Sequence, residues 1–180
     1  MSLTVREARP QEYEAIGELT IAAYSIFPEV ADPGYLAELR DVAGRAAVCP
    51  LYVAVDDAGQ VVGGATYVPG PDNPLAESER PGEAGIRMLA VAPDAQGQGV
   101  GTALARAIVE RARAEGRRGV ALLSLPAMTS AHRLYERLGF RRAPDRDWEP
   151  EPGLLLLGFA LDLEDGGLSA AGPRSGSAGG

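Results

Sequence analysis

Apolar and polar positions alternate with two different periods along this chain of 180 residues, and the switches between the periods outline its elements. Leu3 and Val5 alternate with polar neighbours at the period of a strand. Pro10 suits a first helical turn, and Tyr13, Ile16, Leu19 and Ala23 recur at helical spacing until Pro28. Asp32 is an N-cap type ahead of a second helix predicted over 33–46. Leu51–Val55 and Val61–Val68 read as hairpin arms joined by Asp56-Asp57-Ala58-Gly59. A loop over 69–82 carries four prolines and several acids. Ala84–Ala92 reads as a strand and Gly99–Gly116 as an amphipathic helix. Gly119–Leu125, apolar nearly throughout, reads as a central strand. A helix opened by Thr129 or Ser130 runs to Leu138 and is closed by Gly139. Phe140 begins an exit strand, and Leu154–Leu163 is the last. This order predicts a single-domain mixed α/β sheet flanked by helices over residues 1–164. Residues 165–180, rich in Gly, Ser and Ala, form an expected disordered tail.

Composition removes several chemistries. All 17 basic residues are arginine, which excludes a lysine Schiff base and the Gly-Lys of a phosphate loop of the Walker type. One cysteine, Cys49, and one histidine, His132, allow neither an internal disulfide nor a Cys/His metal centre. Cys49 is expected in the packing, and His132 on the surface. No apolar run has the length of a signal peptide core or a membrane span, so the expected location is cytoplasmic. A net charge of −8 argues against a nucleic-acid partner. The charge is unevenly spread: residues 1–84 carry a net of −9, and residues 97–142 a net of +6. One half can attract a cation while the other tolerates an anion.

The sharpest local signal is MLAVAPDAQGQGVGTAL, from Met88 to Leu104. A strand runs into a loop with Gln96, Gly97, Gly99 and Gly101, and a helix follows at once. Glycines let the backbone approach a bulky anion, and the free N–H groups of a first helical turn point at it with the positive end of the helix dipole. The implied chemistry is pyrophosphate binding without lysine or metal. A dinucleotide fingerprint fits less well, because Thr102 stands where its third glycine belongs and Glu115 falls too early for its acidic residue.

With these residues the sequence resembles the GNAT superfamily of acyl-CoA N-acyltransferases. Gln96-Gly97-Gln98-Gly99-Val100-Gly101 matches its Arg/Gln-x-x-Gly-x-Gly/Ala motif, IRMLAVAP resembles its central strand, and AHRLYERLGF, Ala131 to Phe140, resembles its second motif. The resemblance covers residues 2–163. It implies a splayed mixed sheet with acetyl-CoA bound in the V beside the central strand, as co-substrate and without a metal. Leu89, Ala90 and Val91 would meet the pantetheine arm, and Gln96, Gly97, Gln98, Gly99, Val100, Gly101 and Thr102 would hold the pyrophosphate. A backbone N–H near Leu89 would polarise the acetyl carbonyl, and Tyr135 would return a proton to the departing thiolate. The sequence departs from the family at Met128, where an asparagine is frequent, and at Gly85, where some members carry a glutamate base. Glu83, two residues earlier on the same strand face, is the expected replacement.

The expected partners are acetyl-CoA and a primary amine of a small molecule or peptide, with direct transfer in a ternary complex. Neither nucleic acid nor membrane is expected, and a homodimer is left open. Glu29, Asp32, Glu38, Asp72, Glu77 and Glu79 are candidates for attracting a cationic amine, with Tyr24 and Tyr67 as pocket walls. The competing class is an acyl-CoA-binding module with little turnover, which thiol release from acetyl-CoA distinguishes.

Overall fold

A computed structural model describes residues 2–164, so the expected tail at 165–180 lies outside the described residues. The elements are β1 (Thr4–Glu7), α1 (Tyr13–Tyr24), α2 (Pro33–Arg40), α3 (Val42–Ala46), β2 (Leu51–Val55), β3 (Val61–Val68), β4 (Glu83–Val91), α4 (Val100–Ala114), β5 (Gly119–Ser124), α5 (Thr129–Arg137), β6 (Arg141–Arg142) and β7 (Leu157–Asp162). They build one sheet in the order β1-β2-β3-β4-β5-β7-β6. All neighbouring strands are antiparallel except β4 and β5.

Adjacent residues of a strand point to opposite faces, and β3 shows what covers each. A side chain at Gly63 would meet Val100 and Leu104 of α4, whereas one at Gly64 would meet Ile16 of α1. Helix α4 therefore covers one face and α1 the other. On the α4 face, Leu104, Ala105 and Ile108 pack with Val120, Phe140 and Phe159. On the α1 face, Ile16 and Val42 pack with Val53 and Val55. Burial of a Leu, Ile or Phe side chain contributes about 1.5–3 kcal/mol, so these two layers fix the sheet between its helices.

Three boundaries differ from the sequence reading. The helix predicted over 33–46 is two helices. Asp32 caps the first, accepting from Tyr35 N at 3.0 Å, but Asp41 leaves helical geometry at ψ 67° and caps the second through Gly44 N at 2.9 Å. Helix α5 begins after Met128 without a side-chain cap, with Thr129 already inside it. The last strand starts only at Leu157; before it, Leu156 makes a single bridge to Trp148.

Candidate active site

The parallel pairing of β4 with β5 is short. It joins Glu83–Gly85 to Gly119–Ala121 and stops, although β4 continues to Val91. The cause lies in β4. Between Gly64 and Thr66 of β3 the partners jump from Ala90 to Arg87, so β4 carries one extra residue, and Met88 adopts φ +51°. A bulge of this kind bends its strand and raises the local twist, which turns the end of β4 away from β5. A non-glycine residue in the left-handed region costs about 1–3 kcal/mol and persists where its surroundings enforce it. Here Met88 is buried.

Beyond the bulge, ladder geometry decides which backbone groups face the opening. Ala92 N–H donates to Val62 O of β3 at 2.9 Å, and Ala90 sits opposite Gly64 in the same phase. Leu89 and Val91 therefore direct their backbone groups to the other edge, where β5 no longer pairs. Tyr24 of α1 reaches this edge: its hydroxyl donates to Leu89 O at 3.4 Å. Ala90, expected at the cofactor with its neighbours, turns its backbone to β3 instead.

The edge leads to the glycine loop. Gly97 and Gly99 adopt φ +75° and +85°, a region that favours glycine, and Gly99 is the N-cap of α4. No side chain caps this terminus, and its first helical bond is Ala103 N–H to Gly99 O at 3.0 Å. The N–H groups of Val100, Gly101 and Thr102 therefore lack helical acceptors. Gln98 turns back to donate to Asp94 O at 3.0 Å. Gly101 serves packing, because a Cβ there would press on Leu134 of α5. The strip formed by Leu89, Val91 and this helix start offers donors to an extended anionic ligand.

Beside the strip lies a cleft of about 770 Å³, walled by α1, α2, the 69–82 loop, β4, the end of β5 and the Trp148–Leu156 bridge. Tyr24, Tyr35, Met88, Met128 and Trp148 give it an apolar lining, and Glu29, Asp32, Glu38, Glu77 and Glu151 give it negative charge. Two cations also enter it. Arg87 pairs with Glu77 at 2.8 Å. The Arg45 guanidinium is buried and donates to the carbonyls of Glu38 and Leu39 at the end of α2. Burial, then the nearby Arg87 charge, pulls the Arg45 pKa below its ordinary value. Among the described residues, no group of three or more His, Cys, Asp or Glu is placed to hold a metal ion.

The other sequence candidates divide. Tyr135 is 6% exposed and packs against Phe140 and Phe159, with ring centroids 5.6 and 6.2 Å away. Burial pushes its pKa well above 10. Tyr67 is not a pocket wall: its ring is fully buried and its hydroxyl donates to Glu115 at 2.5 Å. Glu79 turns to Gly85 rather than to the cleft. His132 is half-buried rather than on the surface, with Nε2 at 3.1 Å from Ser124 Oγ and 3.0 Å from Leu125 O. Cys49 is buried and donates to Asn73. Trp148, Arg45 and Arg87 were not singled out in the sequence, because only tertiary folding brings their segments to the cleft.

Glu83 is held away from the cleft, at the start of β4. Arg146 donates to both its carboxylate oxygens at 2.6 and 2.8 Å, and Arg80 N–H adds a third bond at 2.8 Å. Burial alone would raise its pKa, but Arg146 and this N–H together hold it below the usual carboxylate range. A carboxylate so held is a poor proton acceptor; the geometry gives Glu83 a structural role in place of the expected base. Arg146 is 8% exposed, so Glu83→Ala should leave a buried charge unpaired and cost about 3 kcal/mol, a fall in Tm of roughly 6–12 °C for a chain of this size. Because the folded pKa is depressed, the pair's contribution is present above the ordinary value of 4.5 and is lost as pH falls through the folded one. Thermal melts of both proteins from pH 7 downward check this: their difference should shrink on acidification. A loss of turnover with an unchanged Tm would instead put Glu83 in the reaction.

Comparison with known proteins decides the family. The profile of the acetyltransferase (GNAT) family matches residues 13–140. The chain belongs to the GNAT family. A GCN5-related N-acetyltransferase from Kribbella flavida is 28% identical, with a TM-score of 0.67, and covers 89% of this chain and 98% of its own. A GNAT-family acetyltransferase from Staphylococcus aureus Mu50 shares the fold at 13% identity, with a TM-score of 0.69 over 91% of this chain and 100% of its own. The yncA protein of Salmonella typhimurium, whose structure holds its cofactor acetyl-CoA, aligns at 20% identity and a TM-score of 0.66 over 95% of this chain and 99% of its own. No curated protein matches. This GNAT chain is thus an acyltransferase by family, with the splayed mixed sheet of its relatives.

Proposed function

We propose that the protein transfers the acetyl group of acetyl-CoA directly to a primary amine, with both substrates bound at once. The observation that carries the reading is the continuity of three features: the unpaired β4 edge at Leu89 and Val91, the uncapped N-terminus of α4, and the acidic cleft beside them. In this reading the backbone of Leu89 and Val91 aligns the pantetheine arm as an added strand would. The loop from Gln96 to Thr102 receives the pyrophosphate at the positive end of α4, a favourable place for an anion. The N–H of Leu89 steadies the acetyl oxygen as negative charge develops on it, and Tyr135 supplies a proton to the leaving sulfur. Acetyl-CoA as the donor also fits the cofactor found in the yncA structure.

The cleft's carboxylates point to a cationic acceptor. Each exposed pair contributes only about 0–1 kcal/mol and is screened over about 8 Å at physiological salt. Thiol release from acetyl-CoA, measured with cationic, neutral and anionic amines at two salt concentrations, tests this reading. Cationic amines should react best, and their KM should rise with salt. A preference for anionic amines would show that the acidic wall does not select the acceptor. Binding of acetyl-CoA with no thiol release for any amine would replace the transferase by a binding module.

A further inference from the structure

Beyond the amine reading, on which this step rests, we infer that Glu77, held by Arg87 and Glu79, is the group that takes the proton from the acceptor ammonium. The other carboxylates on this side of the molecule are engaged elsewhere or stand at the rim. Asp32 and Asp41 accept from backbone N–H groups at the starts of α2 and α3. Glu83 is bound to Arg146 outside the cleft. Glu29, Glu38 and Glu151 are exposed. Glu77 is exposed as a residue too, but its side chain turns inward to an ion pair in the cleft. It belongs to a surface loop, yet its side chain is only 22% exposed and faces Arg87 of β4, whose side chain is 15% exposed, at 2.8 Å. Arg87 immediately precedes the bulge residue Met88, and Glu77, Arg87, Met88 and Tyr24 all line the same cleft. Tyr24 in turn reaches the Leu89 carbonyl, so one wall connects Glu77 to the strand edge assigned to the thioester.

The loop is fixed by an unusual clamp. Glu79 Oε2 accepts from the N–H groups of Glu77 and Ser78 at 2.7 and 3.0 Å. Its other oxygen lies over Gly85, where a Cβ would overlap it. The missing side chain of β4 is thus the space that admits the Glu79 carboxyl, and Glu79 orients the backbone that carries Glu77. Arg87 also donates to Leu75 O at 3.5 Å, a second tie between strand and loop. Glu79 is a positioning residue; Glu77 is the group that meets the substrate.

The charges around Glu77 set its proton affinity. Burial raises its pKa, Arg87 opposes the rise, and Glu79 of the loop and Glu38 of α2 add to it; Tyr35 of α2 also faces it. The net direction is upward, which makes this carboxylate a stronger proton acceptor than an exposed one. The step balances as follows. The Glu77 carboxylate takes one proton from R–NH3+, leaving a nitrogen lone pair. Nitrogen forms its bond to the acetyl carbon as the C–S bond breaks and sulfur leaves with the electron pair. Tyr135 protonates the departing sulfur, the second nitrogen proton, lost as the amide forms, restores the Tyr135 hydroxyl, and Glu77 releases its own proton to water.

The test is Glu77→Gln in the full chain. With an amine that is protonated at the assay pH, kcat/KM should fall by about 10²–10⁴, while calorimetric affinity for acetyl-CoA stays constant and the rise of rate with pH changes form. With an amine already neutral at that pH the deficit should shrink severalfold, because no ammonium proton has to be removed. Glu77→Asp should recover part of the activity, and Glu79→Ala should give a smaller loss than Glu77→Gln. Wild-type kcat/KM and pH profile in Glu77→Gln, or an equal loss for both amines, would overturn the assignment. Failure of the wild-type protein to acetylate any amine would overturn the transferase reading itself, a result visible before any variant is made.

Discussion

Gly99→Glu should weaken acetyl-CoA binding by at least about 100-fold in a protein that still folds. Two effects act at this position. Gly99 sits at φ +85°, where an L side chain costs roughly 1–2 kcal/mol. A Cβ there would meet nothing within 4 Å, so the side chain can be housed without disturbing the core. The larger effect is electrostatic. The N–H groups of Val100, Gly101 and Thr102 stand free at the start of a helix of 15 residues, whose dipole places about half a positive charge there. A carboxylate at the N-cap would occupy those donors and repel the pyrophosphate. The charge should lower affinity at least about 100-fold, close to 3 kcal/mol, while the backbone strain should lower Tm. Gly99→Asn separates them, because asparagine tolerates the left-handed region and brings no charge; it should bind within about tenfold of wild type. Calorimetric titration with acetyl-CoA, paired with thermal melts, reads both. Unchanged affinity in folded Gly99→Glu would remove the loop from the cofactor site.

What the sequence could show was local. The hairpin arms Leu51–Val55 and Val61–Val68 were legible because two short, largely apolar runs rich in valine flank the Asp-Asp-Ala-Gly turn. The glycine loop was legible because its residues are contiguous and its chemistry needs little from elsewhere. The misreadings share a tertiary origin. Asp41 ends one helix and caps the next, and Arg45 folds back to the α2 carbonyls, but the apolar spacing through both helices is that of one. Leu154–Leu156 has strand composition, yet only Leu156 finds a partner, in Trp148. Glu83 lies on β4 as expected, and the residue that removes it from acid–base work, Arg146, is 63 positions away. The bulge has no sequence signature at all, since Met88 is not a residue that advertises positive φ. Charge was informative at a coarse level: the acidic first half does supply Glu29, Asp32, Glu38 and Glu77 to the cleft, but so does it supply Arg45.

Tyr135→Phe should lower kcat by about 10²–10⁴, the scale of a positioned general acid, and leave acetyl-CoA affinity and Tm nearly unchanged. The ring is the structural part of this residue. It packs between α5 and the β5–β7 layer against Phe140 and Phe159, and phenylalanine keeps those contacts. The hydroxyl has no hydrogen-bond partner among the described residues, so its removal breaks no protein bond. Burial raises its pKa well above the ordinary 10, which keeps it protonated across the whole neutral range and leaves it a donor rather than an acceptor. The wild-type rate should therefore show no decline below pH 10 that traces to loss of this proton. Tyr24 supplies the contrast. Its hydroxyl already donates to Leu89 O at 3.4 Å and its pKa is likewise raised by burial. Tyr24→Phe should disturb the alignment of the β4 edge, which raises KM for acetyl-CoA more than it lowers kcat. Steady-state kinetics of the two variants, with thiol release as the readout, keep the roles apart. Full turnover in Tyr135→Phe together with a collapse of kcat in Tyr24→Phe would move the proton donor from α5 to α1.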